Sequence, residues 1–102
     1  MTEQIEHKRE QIAQLCRQFH VRRLALFGSA LGSDFDPEHS DLDFVVEFET
    51  LPQGTYADTY FGLMTALERL FGRKVDLIEP ESVRNPYFRQ EIEGHQETVY
   101  AA

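Results

Sequence analysis

The sequence predicts an α/β protein of the α+β kind, a small mixed sheet flanked by helices. Two stretches carry apolar residues at helical spacing, a third, shorter helix is read after Pro86, and three short runs are rich in strand formers. Turn residues separate them into the order helix, strand, strand, helix, strand, helix.

Residues 3–19 place Ile5, Ile12, Leu15, Cys16 and Phe19 along the stripe of one amphipathic helix. Arg23-Leu24-Ala25-Leu26-Phe27 then reads as a buried strand that stops at Gly28. The segment from Gly32 to Ser40 has the composition of an exposed loop, with Asp34, Asp36, Pro37, Glu38 and His39. His39 is read as a loop histidine, and His7, His20 and His95 have no metal-site spacing.

Leu42 to Phe48 predicts a second strand. Its alternation sends Asp41, Asp43, Val45 and Glu47 to one face and Leu42, Phe44, Val46 and Phe48 to the other. Tyr56 to Phe71 predicts a helix with Tyr60, Met64, Leu67 and Phe71 on its core face, widened by Leu63 and Leu70, and Gly72 at its C-terminal cap. A third strand covers Lys74 to Ile78, a last helix covers Pro86 to Glu93, and Glu97 to Tyr100 adds a short strand. Tyr87, Phe88 and Tyr100 are read as closing the core, with an exposed aromatic patch for a partner as the alternative use.

A chain of 102 residues matches the size of one domain. Its net charge of −8 opposes extended nucleic-acid binding, because such affinity comes mainly from neutralising phosphates with Lys and Arg. Divalent cations or a basic protein partner suit it better. Cys16 is the single cysteine and sits within an apolar stripe, so it reads as a buried thiol in a reducing compartment. No apolar run approaches the roughly 20 residues that span a bilayer, which leads to the expectation of a cytoplasmic protein.

The carboxylates carry the chemistry. Asp41 and Asp43 lie two apart on a strand, so both leave the same face with α-carbons roughly 6 to 7 Å apart. Carboxylate oxygens suit hard divalent ions, and a pair of such ions is the usual clamp for in-line displacement at phosphorus. Asp76 interrupts the apolar run Val75-Asp76-Leu77-Ile78, where an unpaired charge would be costly to bury. If that strand lies beside the second, Asp76 completes a triad. Gly28 and Ser29 follow the first strand. There a glycine permits close approach of the backbone, and a serine at a helix start can meet phosphate oxygens.

Phe27-Gly28-Ser29, a spacer of eleven residues from Ala30 to Ser40, the pair Asp41-x-Asp43 and the segment Gly72-Arg73-Lys74-Val75-Asp76-Leu77-Ile78 occur here in that order. In this arrangement the chain resembles the minimal nucleotidyltransferase group of the DNA polymerase β-like superfamily, over nearly its whole length, on to Asn85-Pro86-Tyr87 and the tail. The resemblance implies the polymerase β-like fold, with residues 1–102 forming a single minimal nucleotidyltransferase domain. It implies that Gly28 and Ser29 hold the β- and γ-phosphates of ATP or another nucleoside triphosphate. Asp41 and Asp43 would ligate two Mg²⁺ ions, with Asp76 completing the metal site and helping to activate the acceptor hydroxyl. It also implies an MntA-like antitoxin paired in a hetero-oligomer with a HEPN-domain ribonuclease toxin, transferring AMP to a hydroxyl of that partner. Family members often carry arginines just after Gly-Ser, whereas this chain has Ala30-Leu31 and no Lys or Arg between Arg23 and Arg69.

A different class of function is an acidic antitoxin that neutralises a basic toxin by contact alone, with a vestigial site. A purely structural metal domain is a third. The acidic loop lacks the glycine and spacing of an EF-hand.

Overall fold

The computed structural model describes residues 2–27 and 41–102. The first apolar stripe forms two helices, α1 (Thr2–His7) and α2 (Arg9–Gln18), in place of the single helix expected. Helical bonding continues across the break, with Lys8 N–H donating to Ile5 O and Lys8 O accepting from Ile12 N–H. The stripe survives it: Ile5, Ile12 and Cys16 are buried, and Leu15 and Phe19 pack partly against them.

His20 takes a left-handed backbone (φ 59°) and turns the chain from α2 into β1 (Val21–Phe27). Its carbonyl accepts the Glu49 N–H at 2.8 Å, which ties the start of β1 to the end of β2 (Leu42–Phe48). Helix α3 spans Tyr56–Phe71 and ends at Gly72, whose φ of 67° is the left-handed cap that glycine adopts without strain. Strand β3 (Val75–Ile78), a 3₁₀ turn at Pro80–Ser82, helix α4 (Pro86–Gly94) and strand β4 (Gln96–Ala101) follow.

The four strands form one sheet in the order β3-β2-β1-β4. The β1–β2 and β1–β4 pairs are antiparallel and β2–β3 is parallel, so the sheet is mixed. On one face Leu24, Leu26, Leu42, Phe44, Val46, Val75 and Leu77 bury against Ile12, Cys16, Leu63, Leu67 and Phe71 of the helices. This is the main core, and it fixes the strand positions from behind.

The opposite face keeps the alternation expected for β2. Val45 shares the face of Asp43 and Glu47 and is fully buried there with Ala25 and Ile92, and Phe27, Ile78 and Val83 pack around them. The cause is α4, which lies on this face and covers its middle with Ile92. Asn85 caps α4 by accepting from the N–H groups of Tyr87 and Phe88, and Pro86 opens the first turn. Phe88 and Ile92, four residues apart, share the inward side, and Phe88 meets Phe27 edge-on at 6.2 Å. Tyr87 is therefore turned outward and is 81% exposed, which corrects its expected place in the core. Tyr100 does pack partly against the main core.

Candidate active site

Asp43 and Asp76 occupy the same register position on the parallel strands β2 and β3. Asp43 also faces Phe27, the last residue of β1, so the pair sits where three strands reach the same level. Asp41 immediately precedes β2, two residues before Asp43, and strand alternation gives it the same face. Asp41 and Asp76 are exposed and Asp43 is half-buried. The three sequence-predicted carboxylates thus converge on one end of one face. Gly28, Ser29 and residues 30–40, including the expected loop with His39, lie outside the described residues.

Burial pushes the Asp43 carboxyl above the usual range, and the charges of Asp76 and then Asp41 add to it, with a hydrogen bond to Asp76. Two carboxylates facing each other across a ladder repel unless a proton or a cation lies between them. Their donor atoms are all oxygen, the set preferred by Mg²⁺, so the residues fit a hard divalent ion. Among the described residues no group of three or more His, Cys, Asp or Glu gathers closely enough to hold a metal ion. The close pair is Asp43 with Asp76, and Asp41 stands one step further along.

Helix α3 secures the third carboxylate. Strand β3 is at the sheet edge, so every second backbone group points away from β2. The Val75 N–H donates to Glu68 Oε2 at 3.2 Å, and the Leu77 carbonyl accepts the Tyr60 hydroxyl at 2.6 Å. Tyr60 and Glu68 are two helical turns apart on α3, so one helix face satisfies the residues on both sides of Asp76. Sequence reading gave Tyr60 only a packing role and left Glu68 aside. The available signal was a polar tip recurring two turns along a core-facing stripe.

Glu47, on the same face of β2 as Asp43, belongs to a different cluster. Its carboxylate meets Arg22 at 2.8 Å and Arg23 at 3.4 Å, and Arg23 also donates to Gln96 and Thr98 on β4. Arg23 thereby links Glu47 to Gln96, which pairs with Phe27 at the level of Asp43.

The nucleotidyltransferase domain family matches residues 8–98, nine-tenths of the chain and all three carboxylates. The chain belongs to this family. Among its relatives, a Methanocaldococcus jannaschii protein provisionally named a protein adenylyltransferase is 39% identical over 74% of this chain and 73% of its own length. The protein adenylyltransferase MntA of Thermococcus cleftensis is 34% identical over 78% of this chain and 72% of its own. A solved structure provisionally identified as a minimal nucleotidyltransferase superposes with a TM-score of 0.74 at 30% identity, covering 92% of this chain and 91% of the other. An MNT antitoxin solved in complex with a tri-AMPylated Shewanella oneidensis HEPN toxin shares the fold, at a TM-score of 0.64 and 20% identity over 96% of this chain and 73% of that one. Among the described residues, no helix is long and apolar enough to cross a membrane.

Proposed function

We propose that this nucleotidyltransferase domain transfers AMP from ATP to a hydroxyl group of a partner protein, in a Mg²⁺-dependent reaction. The observation that carries the reading is the in-register pair Asp43 and Asp76, with Asp41 two residues before it on the same face.

Asp41, Asp43 and Asp76 would hold Mg²⁺, and Gly28-Ser29 would hold the outer phosphates of the nucleotide. The metal, when bound, supplies positive charge where negative charge develops at the phosphorus and on the leaving oxygen. Asp76, on the strand furthest from β1, orients the acceptor hydroxyl and takes its proton. The hydroxyl oxygen forms a bond to the α-phosphorus, the bond to the β-phosphate bridging oxygen breaks, and pyrophosphate leaves with the electron pair. In-line positioning supplies much of the rate.

The relatives named as protein adenylyltransferases support a protein acceptor. The structural neighbour bound to a tri-AMPylated HEPN toxin supports a HEPN-domain ribonuclease as that partner, with this chain as its antitoxin in a hetero-oligomer. The net charge of −8 favours a second reading, an antitoxin that neutralises a basic toxin by contact alone. One experiment separates the two. Purified protein, Mg²⁺, each α-labelled nucleoside triphosphate and the adjacent gene product are incubated, beside the Asp41→Ala/Asp43→Ala double variant. Label on the partner from ATP, absent with the double variant together with loss of neutralisation, supports catalysis. Full neutralisation by the double variant supports contact alone.

A further inference from the structure

We propose that the outer row of helix α3 is a self-pairing surface, on which a second copy of this chain packs its own α3 antiparallel about a two-fold axis between Leu63 and Met64. The residues involved are remote from the carboxylates, and the pairing does not depend on the transferase reading.

Helix α3 buries Leu63, Leu67 and Phe71 and leaves Asp58, Phe61, Thr65 and Arg69 exposed. Phe61 is 60% exposed, so a whole aromatic ring edge meets water here. With Ala66 of α3 and Leu15 and Phe19 of α2 it lines an open groove of about 490 Å³. Phe19 lies so close over Gly62 that a Cβ there would meet its ring at 2.7 Å, which makes the floor of the groove aromatic. Among the described residues no carboxylate lines it, in a chain with 18 Asp and Glu. The net charge of −8 therefore opposes self-association least along this strip.

Charge placement selects a second copy as the occupant. Asp58 and Arg69 are eleven residues apart, close to three whole turns, so both lie on one line of α3 separated by about 16 Å. Among the described residues neither makes an ion pair. An antiparallel copy centred between residues 63 and 64 sets each Asp58 opposite the other copy's Arg69, and each Gly62 opposite the other copy's Thr65. Both ends of the row are then attractive at once, whereas a parallel copy would set like charges together. A uniformly basic partner would meet Arg69 and a uniformly acidic one Asp58, while the row's own inverse satisfies both. Helices α2 and α3 cover the sheet face opposite Asp43, so the pairing leaves both carboxylate sites open.

The test is sedimentation equilibrium of the full chain over roughly 1 to 500 µM, as wild type, Asp58→Arg and Arg69→Asp. The wild type is expected to pass from monomer to dimer in this range. Each single reversal sets like charges together at both ends of the row and is expected to weaken the dimer by at least about tenfold. An equimolar mixture of the two variants regains both attractive pairs, so it is expected to dimerise as tightly as wild type, through mixed pairs. The chain carrying both reversals is expected to do the same, which separates pairing from any loss of folding in a single variant. A wild type that is monomeric throughout, reversals without effect, or a mixture no tighter than its components overturns the proposal. If the chain alone stays monomeric and the reversals instead weaken binding of the adjacent gene product, the groove belongs to that partner and self-pairing is overturned.

Discussion

The Tyr60 hydroxyl of α3 donates a 2.6 Å hydrogen bond to the Leu77 carbonyl of β3, the residue next to Asp76. With Glu68 on the Val75 N–H, it makes α3 the clamp that sets the height of the third carboxylate on an edge strand. Tyr60→Phe keeps the ring and removes the bond. The expected cost is about 1 kcal/mol in a urea titration, with faster hydrogen exchange at β3 amides than elsewhere in the sheet.

Asp43 illustrates a trade between stability and function. Its folded carboxyl titrates above the ordinary value of 3.8, so over that window the folded chain keeps a proton that the unfolded chain has lost. Stability therefore falls as pH rises from 3.8 through the folded value, and the cost persists at neutral pH. Asp43→Asn removes it. The variant is expected to melt a few degrees above wild type at pH 7 without added metal, with the gap closing near pH 3. A thermal melt series checks both limits.

Cys16 is fully buried, and burial pushes its thiol up from 9.0 to about 12. The folded protein is expected to resist iodoacetamide at pH 8 and to react once unfolded in urea. Because the folded value is the higher one, the thiol's contribution to stability is complete below pH 9. It is lost as the pH climbs from 9 towards 12.

Ile92 is the fully buried residue of α4, seated on Ala25 and Val45. Ile92→Ala is expected to cost about 2 to 4 kcal/mol. It should also unseat α4 from the site face, read as loss of the Phe27–Phe88 ring contact in aromatic NMR shifts. A variant with unchanged stability would show that α4 is not needed to close this face.

Much of this fold is visible in the residue pattern, and the exceptions share a cause. Leu42–Phe48 and Tyr56–Phe71 match the expected boundaries because strand alternation and a helical stripe are local signals. The start of β1 is less visible. Arg22 and Arg23 hide it, since their charges are met across strands by Glu47, Gln96 and Thr98, residues 24 to 75 positions away. The break at Lys8 leaves the apolar stripe intact and so leaves no mark in the pattern. Alternation gives Val45 its face, but the cover over that face comes from Ile92 of α4, more than forty residues on. At the site, Asp76 stood out as an acid within an apolar strand. Its position opposite Asp43 depends on a parallel pairing that no local pattern encodes.

In the proposed reaction Asp41, Asp43 and Asp76 together would hold divalent metal against a nucleotide. Electron paramagnetic resonance of Mn²⁺ tests it most directly, titrating wild type and Asp43→Asn/Asp76→Asn in the presence of a non-hydrolysable ATP analogue. About two Mn²⁺ are expected per wild-type chain beyond those held by free nucleotide, with loss of that binding in the double variant. Equal Mn²⁺ binding by the two proteins would contradict it.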